Sequence, residues 1–186
     1  MPKLHVIVCS VRVKRAGLPV AQWFFELARQ HGTFDVRFVD LREINLPVFD
    51  EPHHPRLQRY EFEHTKAWSR VVAEADAFVF VTPEYNFGTP PALNNALNYV
   101  YVEWNYKPVA FVSYGGISGG TRSVQMTRQT LSALKMVGIT DAVHIPFIAK
   151  AIEEGKFNAT PENEKAARVM LDELLKWTEA LRSLRP

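Results

Sequence analysis

The chain has 186 residues, 47% of them hydrophobic, and its 22 Lys and Arg against 20 Asp and Glu give a formal charge of +2. That length suits one domain spanning residues 1–186, with apolar residues enough for a single buried core, so a second domain is not expected. The near balance of charge excludes a nucleic-acid footprint and a strongly acidic carrier surface.

In chain order, "LHVIVC" (4–9) reads as the first strand; its apolar run is too short for a signal peptide, and no small-residue cleavage pattern follows. No later run approaches the roughly 18 apolar residues of a membrane-spanning helix. The one cysteine, Cys9, excludes a disulfide framework and points to a reducing, cytoplasmic setting. Further strands are read at "FDVRFVD" (34–40), "AFVFVT" (77–82), "PVAFVS" (108–113) and "GITDAVHI" (138–145). Between them apolar residues recur at helical spacing, with Val20, Phe24, Leu27 and Ala28 in the first such segment and Leu93, Ala96, Leu97 and Val100 in the third. A last helix opens at Thr160-Pro161, a cap followed by proline, and carries Ala167, Met170, Leu171, Leu174 and Leu181 on one stripe. Strand and helix thus alternate, and strands one, three and four are nearly continuous apolar runs, as when helices cover both faces of a parallel sheet. The fold class is a doubly wound α/β sheet, and five strands favour the flavodoxin-like order 2-1-3-4-5. Its ligand crevice lies at the carboxyl ends of strands one, three and four.

One connection is long. "LREINLPVFDEPHHPRLQRYEFE" (41–63) is rich in proline and charge and reads as a functional lid or extra packing surface. Its His53-His54 pair reads as solvated loop, because adjacent histidines in a proline-broken segment share no fixed geometry and no third metal ligand is spaced with them.

Three strand-end loops carry the chemistry. "CSVRVKRAGLPVAQW" (9–23) gathers Ser10, Arg12, Lys14 and Arg15 just before a helix expected near Leu18, so side-chain donors, positive charge and a helix dipole meet at one point. This suits a phosphate, yet neither G-x-G-x-x-G nor G-x-x-x-x-G-K-[ST] is present, so a mononucleotide monoester fits best. Alone, the loop reads equally well as solvated and basic. "TPEYNFGTPPALNN" (82–95) follows the third strand; the N–H groups of 84–88 are expected to be free to donate to a planar heterocycle, with Tyr85 and Phe87 adding aromatic area. "SYGGISGGTRS" (113–123) places two glycine pairs where the backbone can approach a ligand closely or take positive φ. Cys9, with no histidine spaced to activate it, reads as core packing.

Together, Ser10-x-Arg12 with "RAGLPVAQW", "PEYNFGTPPALNNALNYV" and "KPVAFVSYGGISGGTRS" resemble the NADPH-dependent FMN reductases of the flavodoxin-like fold, whose members reduce azo compounds, quinones and chromate. The resemblance runs from residue 4 to about 136. It departs at Cys9-Ser10, where members often have Gly-Ser, and at Asn94, where they often have Lys. It implies FMN and NADPH as cofactors and a small-molecule electron acceptor, with no nucleic-acid or membrane partner. It implies that Ser10, Arg12 and Arg15, with the backbone of Leu18, Pro19 and Val20, hold the FMN phosphate. It further implies that Pro83, Glu84, Tyr85, Asn86 and Phe87 line the isoalloxazine, and that Ser113, Tyr114, Gly115 and Gly116 close its pyrimidine side. No side chain is required as acid, base or nucleophile, because the hydride chemistry belongs to the cofactors. Two rival readings are a flavodoxin-type electron carrier without NADPH activity, whose pattern of a Thr- and Gly-rich phosphate loop and an acidic surface this chain lacks, and a flavin-binding regulatory module without turnover. Tyr99, Tyr101, Trp104 and Tyr106 offer more aromatic area than a covering helix needs, and predict a homodimer or a dimer of dimers, the assembly the resemblance also implies.

Overall fold

The computed structural model describes residues 1–185. Five parallel strands, β1 (Lys3–Val8), β2 (Asp35–Asp40), β3 (Ala77–Pro83), β4 (Pro108–Tyr114) and β5 (Val137–Ile145), form a sheet in the order β2-β1-β3-β4-β5. This is the order expected from the strand count. Every residue of β3 and β4 is buried, which is why those segments carry no polar alternation.

The two faces of the sheet are packed differently. Val79, Val81, Ala110 and Val112 meet α1 (Gly17–His31) and α7 (Pro161–Leu181) through Val20, Phe24, Met170 and Leu174. On the other face Phe78, Phe80 and Phe111 meet α3 (Glu63–Glu74), α4 (Pro91–Tyr99) and α5 (Thr121–Ala133) through Trp68, Val72, Leu93, Leu97 and Leu131. The sheet thus turns Val and Ala toward α1 and α7 and phenylalanines toward α3, α4 and α5. The α7 stripe follows the sequence pattern as far as Leu174. Thr178 is then buried, its hydroxyl donating to the Leu174 carbonyl at 2.7 Å, and Leu181 is only half-buried. The helix opens in a capping box in which Thr160 and Asn163 satisfy each other's backbone N–H groups.

The long connection is packing surface. Its short helix α2 (Leu41–Ile44) is followed by chain tied to α4: Asn95 bonds the Pro47 carbonyl and the Phe49 N–H, and Tyr99 donates to Asp50 at 3.0 Å. Buried Glu51 accepts from the N–H groups of Glu61 and Phe62 and closes the segment on itself. His53 pairs with Glu61 at 3.1 Å while His54 caps the turn Pro55–Leu57. Beyond β5 the chain forms two features that its sequence pattern did not indicate, a short helix α6 (Ile148–Ala151) and an antiparallel ribbon of β6 (Ile152–Glu153) and β7 (Lys156–Phe157). Phe157 of this ribbon packs edge-on against Trp23 of α1 at 5.1 Å.

Two of the four aromatics expected at a subunit interface are core residues instead. Tyr99 and Trp104 are 0% and 1% exposed, so they belong to the core of the subunit, where Trp104 stacks edgewise on Phe78. Tyr101 and Tyr106 stay half-buried at the surface under the cations of Arg56 and Lys135. Among the described residues, no helix is long and apolar enough to cross a membrane.

Candidate functional site

β1, β3 and β4 end side by side, and the three loops predicted to carry chemistry leave the sheet at those ends. In the first loop, Cys9 is buried, its thiol donating to the Ile7 carbonyl. Burial, reinforced by Asp40, pushes that thiol well above its ordinary pKa, so it is a packing residue and not a nucleophile. Ser10 is also buried, with its Oγ 2.7 Å from the Tyr85 hydroxyl, which ties the first loop to the second.

The loop's cations divide. Arg15 turns inward, pairing with Asp40 and donating to the Ser10 carbonyl at 2.9 Å, with both charged side chains almost wholly buried. Asp40 also caps α2 by accepting from the Arg42 N–H, so this pair fixes the loop from beneath. Arg12 and Lys14 are exposed, and among the described residues neither makes an ion pair or side-chain hydrogen bond. Beyond them α1 begins at Gly17 with Ala16 at its cap, no capping side chain and no acidic residue in its first turn. No acceptor among the described residues takes the N–H groups of Gly17 or Leu18. Pro19 has no N–H to give and Val20, four residues past the Ala16 cap, spends its own within the helix, so of the backbone donors expected over Leu18 to Val20 only that of Leu18 is left.

The second loop corrects one expectation. Tyr85 and Gly88 exchange N–H···O bonds of 3.2 and 2.9 Å across a two-residue turn in which Asn86 and Phe87 both have positive φ. The Glu84 N–H is also spent, on the Tyr114 carbonyl at 3.1 Å. Of the five N–H groups expected to be free, those of Asn86 and Phe87 are left. The cause is the turn's own hairpin geometry, which asparagine tolerates and phenylalanine does not adopt without strain.

The Glu84 side chain is largely covered, and its carboxylate is fully engaged. It accepts from Ser118 Oγ at 2.8 Å, from the Arg122 N–H at 3.1 Å and from Arg122 Nε at 2.7 Å. Burial alone would raise its pKa, but the bonds from Arg122 and Ser118 outweigh it and hold the carboxyl below its usual value. Glu84 is therefore an ionised strut between the second and third loops and no proton donor. Arg122 also lies 3.7 Å over the Phe87 ring. Sequence reading passed over this residue; the signal was a buried acid in need of a cation, with Arg122 inside the motif already singled out.

In the third loop Ser113 Oγ donates to the Gly119 carbonyl at 2.7 Å, so its 2.7 Å contact with His144 requires Nδ1 to carry the hydrogen. Gly119 and Gly120 have positive φ, and a Cβ at Gly120 would stand 2.8 Å from the Tyr114 nitrogen. Gly115 and Gly116 do not have positive φ; a Cβ at Gly115 would meet the Gly120 nitrogen at 3.2 Å. The loops enclose a hollow of about 240 Å³ whose walls include Ser10, Arg12, Arg15, Pro83, Tyr85, Tyr114 and Gly115. A second hollow of about 540 Å³, lined by Asn86 and Thr89, shares Arg12, Glu84 and Tyr85 with the first. Of the residues named from sequence, Leu18, Pro19, Val20, Phe87, Ser113 and Gly116 flank these hollows without lining them.

The profile of the family described as NADPH-dependent FMN reductase matches residues 2–150. The chain belongs to that family. An NAD(P)H-dependent FMN reductase of Schizosaccharomyces pombe is 46% identical over 137 residues, covering 73% of this chain and 68% of the relative. One from Nectria sp. is 31% identical over 99% of this chain and 97% of its own length. Among solved structures, the flavoenzyme NAD(P)H:(acceptor) oxidoreductase FerB from Paracoccus denitrificans superposes with a TM-score of 0.75 at 21% identity, covering 97% of this chain and 98% of that one; this likeness shows the fold. As an FMN reductase, the chain is an oxidoreductase with FMN and NAD(P)H as its cofactors. Its residues suit the flavin's phosphate: the N–H groups of Gly17 and Leu18 and the exposed Arg12, which have no partner among the described residues, make a donor-rich, cationic corner, and the first turn of α1 carries no acid.

Proposed function

We propose that the protein takes a hydride from NADPH onto FMN and passes the electrons to a small acceptor of the quinone or free-flavin type. The observation that carries this reading is the unsatisfied corner formed by Arg12 and the first turn of α1, together with a turn in which the Asn86 and Phe87 N–H groups have no acceptor among the described residues. FMN, when bound, supplies the ring that accepts and returns the hydride. Arg12, Ser10, Gly17 and Leu18 bind the phosphate, with Arg15 bracing the loop through Asp40. Pro83 to Phe87 would flank the ring, and the Asn86 and Phe87 N–H groups would be donors to it. Ser113 to Gly116 shape the other edge by backbone, since the Ser113 hydroxyl is committed to Gly119 and His144. No side chain acts as acid or base.

In this reading residues 1–186 form one domain around the one large sheet, NADPH leaves before the acceptor enters, and the protein works in the cytoplasm. It acts as a homodimer. Support for the dimer lies in an apolar cleft of about 730 Å³ between α4 and the long connection, bordered by exposed Val11 and Val48. The test is direct: heat-release the chromophore of the purified protein and identify it, then follow NADPH oxidation with a quinone present. FMN and acceptor-dependent turnover are expected; a different chromophore, or none with FMN unable to bind, contradicts the reading.

A further inference from the structure

One buried polar group has no use in the free protein. Tyr114 ends β4, and its ring leaves the third loop to run beneath the hollow on the α1 face of the sheet. The residue is 4% exposed, yet its hydroxyl has no hydrogen-bond partner among the described residues. Phenol groups so buried are normally paired, and an unpaired one costs stability. The hydroxyl lies against the first residue of α1, where a Cβ at Gly17 would overlap it. That is the helix end whose Gly17 and Leu18 N–H groups also lack acceptors. Ser10 acts on this phenol from close by, but its Oγ makes its hydrogen bond, at 2.7 Å, with the Tyr85 hydroxyl.

We propose that Tyr114 is a phosphate ligand: its hydroxyl donates to the phosphate monoester at the α1 terminus, and it makes the site prefer phosphorylated flavin. The inference rests on the FMN reading above and adds a side chain to it, one whose backbone belongs to the ring end of the site. Burial raises the Tyr114 phenol well above its ordinary pKa, so it remains a donor at any pH the protein survives. The preceding loop's cations supply charge, and Tyr114 supplies a fixed direction from the floor. Glycine at position 17 leaves the space through which it reaches.

Tyr114→Phe keeps the ring and removes only the oxygen. Without flavin, the variant is expected to melt at the wild-type temperature or above it, because a hydroxyl with no partner has been removed. Its affinity for FMN, read by flavin fluorescence quenching, is expected to fall about ten- to a hundredfold, while riboflavin affinity stays unchanged. Inorganic phosphate should also displace FMN from the wild type and lose potency against the variant. Equal loss for FMN and riboflavin, or loss for neither, overturns the assignment. So does lowered stability without flavin alongside undiminished FMN affinity. A wild type that binds FMN no more tightly than riboflavin would instead refute the phosphate corner itself, and Tyr114 with it.

Discussion

The two ends of the site are built on opposite plans. At the ring end nearly every polar group is already satisfied: Glu84 by Ser118 and Arg122, Ser113 by Gly119 and His144, Tyr85 and Gly88 by each other. At the phosphate end Arg12, Lys14, the N–H groups of Gly17 and Leu18 and the Tyr114 hydroxyl have no hydrogen-bond partner among the described residues. The ring end is thus a preformed slot, and the phosphate end is a set of donors that a ligand completes. Substitutions at the first should cost the fold, and substitutions at the second should cost the ligand.

The largest effect is expected at Gly120. Its φ of 86° and the 2.8 Å approach of a Cβ to Ser113 and Tyr114 mean that Gly120→Ala adds both backbone strain and overlap. Destabilisation of roughly 2–5 kcal/mol should appear in denaturant unfolding, with or without FMN. Glu84→Ala removes the strut between the loops. Because Arg122 keeps some exposure and can hydrate, the cost should be about 2–3 kcal/mol rather than that of a wholly buried pair. An unchanged melting temperature in either variant would break the contrast at the ring end.

A pH titration sharpens the contrast by separating unfolding from ligand loss. His5, on β1 and 1% exposed, has both ring nitrogens unpaired, and burial, aided by Arg37, lowers its pKa to about 4. The folded state therefore binds fewer protons than the unfolded state between about pH 6.5 and 4, so stability is full above that window and falls as pH drops through it. The loss should be on the order of 1–3 kcal/mol, and His5→Phe should flatten it. In that variant, any remaining fall of FMN affinity near pH 6 reports protonation of the phosphate itself. The smallest effect is expected for Lys14→Ala, an exposed charge without fixed geometry: FMN affinity should drop less than about fivefold.

The same division explains what could be read from sequence. β3 and β4 were legible because strands buried on both faces admit only apolar residues, and α7 because its stripe and its Thr160-Pro161 start agree. The β6–β7 ribbon was missed because its strands have two residues each, too few for any period. The three loops could be located by their position after strands, but their hydrogen bonding could not. Nothing local to Arg12 and Arg15 says that the second meets Asp40, 25 residues away, and the first meets nothing. Likewise "PEYNFG" shows a turn, while the exchange of N–H groups between Tyr85 and Gly88 depends on Asn86 and Phe87 both adopting positive φ.

The claim that the first loop completes itself on a phosphate is tested most directly by Arg12→Ala. Its affinities for FMN and riboflavin should be measured beside its stability without flavin. Arg12 is exposed and unpaired, so stability should stay within about 0.5 kcal/mol of wild type. FMN affinity should fall by about 1.5–3 kcal/mol, or roughly ten- to a hundredfold, and riboflavin affinity should hold. If both flavins lose affinity equally, or neither loses any, the phosphate is held elsewhere and the contrast between the two ends is wrong.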